Sequence, residues 1–276
     1  MSERNLQIGF VGGGNMARAM VAGLLRAGHE PACIAIAEPA TAARESLAAL
    51  HPQLQVTDAS ASAAVGAGVL VLAVKPQVIP AVLGELAGLR RPPGQLLVSV
   101  AAGITLATLQ RGVAPGGAAV RIMPNQPALV GAGMSVLVAA VGVGAAQRAQ
   151  AQYIAAATGQ ALWVNDESLM DAVTAVSGSG PAYFYLLMEA MEEAAVALGL
   201  PMETARTLVR QTALGAAGVA VATGGGLAPL RDSVTSPGGT TAAALAVLDA
   251  AGWREALKRA ITAARDRGAE LGSATR

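Results

Sequence analysis

Ile8-Gly9-Phe10-Val11-Gly12-Gly13-Gly14-Asn15-Met16-Ala17 is the stretch whose reading decides the fold. It fits G-x-G-x-x-A, with Gly12, Gly14 and Ala17 in the fixed places, directly after an apolar strand and directly before a helix. The first glycine permits a tight turn, the second lets the backbone approach a pyrophosphate, and the small third residue allows close helix–strand packing. A diphosphate would rest there on free N–H groups at the positive end of the helix dipole. A glycine run can also be a plain turn, so the surrounding pattern has to decide.

Outward from that turn, short apolar runs alternate with helical segments. Strands are expected over Gln7–Val11, Ile34–Ala37, Val69–Val74, Leu96–Val100, Ala118–Ile122, Met134–Val138 and Ala161–Val164, with helices such as Met16–Ala27 and Ala42–Leu50 between the early ones. This alternation predicts an α/β fold with a parallel, doubly wound sheet of the Rossmann type. From about Asp166 the strand signal stops. Helices are expected over Pro181–Leu198, Met202–Ala222, Thr240–Ala250 and Trp253–Leu271. The expected division is therefore a dinucleotide-binding domain, 1–164, and an all-helical domain, 165–276. The later helices carry Ala, Met and Leu on more than one face, which points to surface buried between subunits.

The end of the second strand should meet the adenosine ribose. Glu38 stands there, 24 residues after Gly14. A carboxylate in that place would bond ribose hydroxyls and repel a 2′-phosphate, favouring NADH. Thr41 and Arg44 could instead cradle that phosphate, or the stretch could be a helix cap with solvated charges. NADPH and NADH both stay open.

Composition narrows the rest. Of 276 residues, 53% are hydrophobic and 13% charged, with a net charge of +1. No apolar run approaches the roughly 18 residues that cross a bilayer, and no basic block calls for nucleic acid or an anionic membrane. MSERNLQIGF carries charge and runs straight into a strand, so no signal peptide is expected and the cytoplasm is the expected location. Cys33 is the single cysteine, which excludes an internal disulfide and a thiolate metal cluster; it reads as a small buried hydrophobe. No metal site is expected.

Further strings resemble one family. Val74-Lys75-Pro76-Gln77, Ser99-Val100-Ala101-Ala102-Gly103 and Arg121-Ile122-Met123-Pro124-Asn125 follow the third, fourth and fifth strands. Ser177-Gly178-Ser179-Gly180-Pro181-Ala182-Tyr183 and Arg231-Asp232-Ser233-Val234-Thr235-Ser236-Pro237-Gly238-Gly239-Thr240-Thr241 come later. In this order and spacing the chain resembles pyrroline-5-carboxylate reductase along essentially its whole length. The last string is the most specific, because it lies outside the nucleotide fold that many dehydrogenases share.

The resemblance implies NAD(P)H-dependent reduction of L-1-pyrroline-5-carboxylate to L-proline, the last step of proline biosynthesis. It implies that Val11, Gly12, Gly13, Gly14, Asn15 and Met16 wrap the diphosphate and that Ala73, Val74, Lys75 and Pro76 run alongside the cofactor. Ser60 stands where the family usually has an asparagine near the ribose, while Asn125 and the Ala101-Ala102-Gly103 turn would lie by the nicotinamide. Ser236, Gly238, Gly239, Thr240 and Thr241 would hold the substrate carboxylate, with Ser177 also at the substrate, and Thr241 would face the ring nitrogen. In this family the loop comes from the partner subunit of an interlocked homodimer, often assembled into decamers.

Read from chemistry alone, Ser-Pro-Gly-Gly-Thr-Thr before a helix suits a carboxylate, since helix N-termini attract anions. It could equally be an ordinary capped helix start with Thr240 as cap, and Ser179-Gly180-Pro181 could be only an N-cap followed by proline. The missing residue types say more. The chain has two histidines, His29 and His51, both expected to be solvated near helix ends, and two lysines, Lys75 and Lys258. Reducing a carbonyl needs a proton delivered to oxygen, typically from His or Lys. Residues 165–276 hold no histidine, and Lys258 reads as a surface charge. A β-hydroxyacid dehydrogenase would want a lysine on the helix from Pro181, which has none; Tyr183 and Tyr185 there read as core residues. A protonated imine is already electrophilic, so orientation and dipoles can carry its reduction. A non-catalytic nucleotide sensor would be expected to show a degraded Ser236–Thr241 loop, and this one is intact.

Overall fold

The protein is described by a computed structural model that covers residues 3–274. Eight strands form one sheet: β1 (Ile8–Val11), β2 (Ile34–Ala37), β3 (Gln55–Thr57), β4 (Val69–Leu72), β5 (Leu96–Ser99), β6 (Ala118–Met123), β7 (Gly133–Ala139) and β8 (Gly159–Trp163). Helices α1 (Asn15–Arg26), α2 (Thr41–Ala48), α3 (Ser60–Ala64), α4 (Ile79–Ala87), α5 (Leu106–Gln110), α6 (Ala145–Ala156) and α7 (Met170–Val173) accompany it. The sheet order is β3-β2-β1-β4-β5-β6-β7-β8. β1, β4 and β5 are buried along their whole length, as strands with helices on both faces must be. On one face Phe10, Ile36, Val71 and Val98 pack with Met20 and Leu24 of α1 and Ile154 of α6. On the other, Leu70, Leu72 and Leu97 pack with Leu83 and Leu86 of α4 and Leu109 of α5.

β1 to β6 are parallel, but β7 runs antiparallel to β6, and β8 is parallel to β7. The β6–β7 connection is residues 124–132 with one 3-10 turn, Gln126–Val130. That is too short for a crossover, which takes a dozen residues or more. The chain can only return beside β6 in the opposite sense. β3 has no counterpart among the expected strands because its three residues are partly exposed and carry no apolar alternation. The expected run to Val74 stops at Leu72, where Ala73 N–H turns to Val11 O at 2.8 Å.

Three side chains depart from expectation. His29 is buried, not solvated: Nε2 meets Leu6 O and Nδ1 meets Tyr153 Oη, both at 3.0 Å. Since a carbonyl only accepts, the neutral ring carries its proton on Nε2 and takes the phenol's at Nδ1. Desolvation first, opposed by the Leu6 bond and Glu30, pulls the imidazole below its ordinary pKa. Cys33 is half-buried in a 3-10 turn just before β2, its thiol accepting from Gln7 Nε2 at 3.0 Å. Tyr185 lies exposed on its helix rather than in a core.

The chain divides into two compact units, residues 3–179 with 264–274, and Gly180–Ala263. The second unit contains α8 (Gly180–Ala197), α9 (Met202–Thr223), α10 (Leu227–Ser233), α11 (Thr240–Ala250) and the first part of α12 (Trp253–Ala274). α10, inside the Arg231–Thr241 string, is not among the expected helices. α9 buries Ala205 and Val209, whereas α8 leaves Phe184, Leu186 and Leu187 exposed. An apolar face of that size on one chain marks an interaction surface. Among the described residues no helix is long and apolar enough to cross a membrane.

Candidate active site

The glycine turn emerges from the buried end of β1, between β2 and β4, where the strand order reverses. Ligands of open α/β sheets bind at that switch point, beyond the strands' carboxyl ends. Gly12 has φ +98°, and a Cβ there would lie 2.7 Å from Ala73 O, so both conformation and packing require glycine. Gly12 N–H donates to Ala37 O at 2.8 Å, fixing the turn to β2.

Gly14 is different. It is the N-cap of α1 with φ −66° and ψ −176°, angles open to any residue, and a Cβ there would meet nothing within 4 Å. Nothing in the chain accounts for its being glycine. The bare backbone faces open space at the uncapped start of a 12-residue helix, which fits a diphosphate resting on the N–H groups of that first turn.

Cavities flank the turn. One of about 600 Å³ is lined by Val11, Gly12, Pro39, Asp58, Ser60 and Val74 among others. A recess of about 290 Å³ is lined by Asn15, Met16, Pro124, Asn125, Gln126, Leu129 and Gly178. Of the expected cofactor residues, Val11, Gly12, Ser60 and Val74 line the first and Asn15, Met16 and Asn125 the second. Lys75 is the N-cap of the 3-10 turn Pro76–Val78 and lines neither cavity. Gly103 lines a separate recess with Thr105, Arg121, Glu167, Ser168 and Asp171. There Arg121, a residue 4% exposed, pairs through its guanidinium with Glu167 at 3.2 Å, and Glu167 also accepts from Leu106 N–H at 2.8 Å. The Glu38 carboxylate accepts from Gly13 N–H at 2.8 Å and from Ala40 N–H at 3.0 Å.

Asn125 joins two loops. Its Nδ2 donates to Ser177 O at 3.0 Å and its Oδ1 accepts from Met134 N–H at 2.8 Å. Ser177 O has no helical partner four residues on, because Pro181 carries no N–H; just before it Thr174–Gly178 is a π-turn, closed by Ser179 N–H to Thr174 O at 2.8 Å. π-turns of this kind recur at functional sites. The Ser177 hydroxyl donates to Val173 O at 3.0 Å.

In the second unit, Ser236–Gly239 forms the turn before α11: Gly238 has φ +70°, and Gly239 N–H donates to Ser236 O at 3.0 Å. The N-cap is Gly239, not Thr240, and no side chain caps the helix. The reading of this string as a side-chain-capped helix start therefore does not hold. α11 has 11 residues, and its first-turn N–H groups, beside Thr240 and Thr241, are not capped by any side chain. Among the described residues no group of three or more His, Cys, Asp or Glu is placed to hold a metal ion.

Comparison with known proteins decides the family. The chain is 46% identical to the pyrroline-5-carboxylate reductase of Pseudomonas aeruginosa across 96% of both chains, and residues 167–271 match the pyrroline-5-carboxylate reductase dimerisation family. The chain belongs to the pyrroline-5-carboxylate reductase family. The pyrroline-5-carboxylate reductase of Synechocystis is 44% identical over 97% of this chain and 99% of its own. Residues 7–103 match the family described as NADP oxidoreductase, coenzyme F420-dependent. Among solved structures, a pyrroline-5-carboxylate reductase from Coxiella burnetii superposes with a TM-score of 0.91 at 40% identity, covering 97% of this chain and 98% of its own. The Plasmodium falciparum pyrroline carboxylate reductase, solved with NADP bound, gives 0.82 at 28% identity, covering 98% and 99%.

Within this pyrroline-5-carboxylate reductase framework, sequence reasoning missed the π-turn, Asp58 at the larger cavity and the Glu38–Gly13 bond. Only the last carried a signal: a carboxylate at the end of β2 stands next to the glycine turn in any such fold.

Proposed function

We propose that the chain reduces L-1-pyrroline-5-carboxylate to L-proline with NADPH or NADH, the closing step of proline biosynthesis. The uncapped start of α11 behind Ser236–Thr241 carries this reading, because it offers an anionic substrate backbone N–H groups and hydroxyls. Val11 to Met16 hold the diphosphate, with Ala73 to Pro76, Ser60 and Glu38 beside the nucleotide and Ala102, Gly103 and Asn125 toward the nicotinamide. Bound there, the reduced nicotinamide supplies the hydride for the imine carbon. The chain's residues supply orientation: Ser236, Gly238, Gly239 and Thr240 hold the carboxylate, Ser177 borders the substrate, and Thr241 holds the ring nitrogen by a hydrogen bond. A second proton source is unnecessary, since the protonated imine is already electrophilic and the amine keeps that proton.

Residues 1–164 serve as the nucleotide domain and 165–276 as the substrate and dimerisation domain. The second domain forms a homodimer, assembled further to a decamer, in which the loop is contributed by a second copy of the chain. The protein works in the cytoplasm. Incubation of the purified chain with L-1-pyrroline-5-carboxylate and either reduced cofactor should give L-proline, detected by mass, in step with cofactor oxidation. Folded protein that makes no proline with either cofactor would reject the assignment.

A further inference from the structure

The cofactor choice left open by the amino-acid pattern turns on what surrounds Glu38. Its two carboxylate oxygens are held by separate backbone donors, Oε2 by Gly13 N–H at 2.8 Å and Oε1 by Ala40 N–H at 3.0 Å. The group is thereby fixed between the diphosphate turn and the start of α2, the place to which a doubly wound fold delivers the adenosine ribose. Each oxygen keeps an unused lone pair, so the carboxylate can still accept from a ribose hydroxyl.

The cation that could have taken a phosphate is engaged elsewhere. Arg44 Nη1 donates to Pro39 O at 2.6 Å and to Glu38 O at 3.0 Å, and Nη2 donates to Thr41 Oγ1 at 3.1 Å. The guanidinium thus closes the β2–α2 loop on itself and occupies the hydroxyl that would have assisted it. Arg18, the other cation nearby, reaches back to Ser46 Oγ. The cavity beside the turn is lined by two carboxylates, Asp58 and Glu85, and by no lysine or arginine among the described residues.

We infer that Glu38, with the Nη groups of Arg44 engaged within the β2–α2 loop, makes this chain select NADH over NADPH. A 2′-hydroxyl presents a donor to a fixed acceptor, whereas a 2′-phosphate brings a dianion and only acceptors to that carboxylate, while the neighbouring guanidinium of Arg44 has its Nη groups on Pro39 O, Glu38 O and Thr41 Oγ1. The inference rests on reading the glycine turn as the nucleotide site, and its test separates the two.

Calorimetric titration of the purified chain with NADH and with NADPH reads the preference without turnover. NADH should bind at least about tenfold more tightly, the scale of one uncompensated like-charge contact near a surface. Glu38→Gln keeps the shape and one acceptor but removes the charge, and should narrow that ratio about threefold or more, chiefly by improving NADPH. NADPH binding as tightly as NADH to the unaltered chain, or a ratio unmoved by Glu38→Gln, overturns the inference. Faster proline formation with NADPH would leave the proposed reaction standing and sink the preference. Folded protein that binds neither would remove the nucleotide reading and the preference together.

Discussion

Gly14→Ala separates what the fold needs from what the ligand needs. In the folded chain Gly14 sits at φ −66° and ψ −176°, and the added methyl would meet no atom within 4 Å. Alanine restricts the unfolded chain, worth about 0.4–1 kcal/mol of stabilisation, while its weakness as an N-cap offsets up to about 1 kcal/mol. The net change should stay within about 1 kcal/mol, a Tm shift of at most about 2–4 °C. The ligand side is asymmetric. The methyl occupies the space before the first N–H groups of α1, where a diphosphate would accept charge-assisted bonds worth about 1.5–3 kcal/mol each. Weakening one of them should reduce cofactor affinity about ten- to a hundredfold. Thermal unfolding and calorimetric titration with NADH on the same preparation measure both quantities. Gly12→Ala is the control: with φ +98° and Ala73 O at 2.7 Å it must strain the backbone, costing about 1–3 kcal/mol or more. Full cofactor affinity in a well-folded Gly14→Ala protein would refute the argument that this glycine exists for a diphosphate.

Thr241→Ala, at the start of α11, should lower kcat for imine reduction far more than it weakens cofactor binding; steady-state kinetics with an unchanged rate would remove Thr241 from the mechanism. His29 gives a pH prediction. Its folded-state pKa is held below the ordinary histidine value, mainly by desolvation, so the unfolded chain binds more protons in the window between the two. The stability it contributes is complete above about pH 6.5 and drains away as pH falls through that window. Urea unfolding followed below neutrality should show that slope, and His29→Phe, which keeps a ring but cannot titrate, should flatten it. Equal slopes in the two proteins would place the acid sensitivity elsewhere.

What could be read in advance follows the physics of each part. Buried parallel strands announce themselves because both faces are covered: β1 and β4 are continuous apolar runs, and β5 is one up to Ser99. β3 escaped because a short, partly exposed edge strand carries no such run. The reversal at β7 was written in the length of the connection rather than in the strand, and strand patterning does not report direction. Helix ends in the second half fell within a few residues of their caps, with Gly199-Leu200-Pro201 marking one stop and Gly224 taking the left-handed conformation at another. His29 misled because a lone histidine after a helix looks solvated until its partners, Leu6 and Tyr153, arrive from distant points in the chain. The same distance hid the Asn125–Ser177 bond, whose acceptor is left over because Pro181 has no N–H to offer it. Motifs placed the candidate site, but the packing around Gly14, Glu38 and Arg44 was needed to say what each residue is free to do.

The claim that this chain works on an activated C=N is tested most directly by presenting two acceptors side by side. L-1-Pyrroline-5-carboxylate and a 3-oxo acid of similar size would be offered separately with saturating NADH, following cofactor oxidation and product mass. The account predicts rapid oxidation with stoichiometric L-proline from the imine and negligible oxidation with the carbonyl, since residues 165–276 contain no histidine to protonate an alkoxide and the single lysine there, Lys258, pairs with Glu255 at 2.7 Å on the surface. Comparable turnover of the carbonyl acid, or none of the imine, would contradict it.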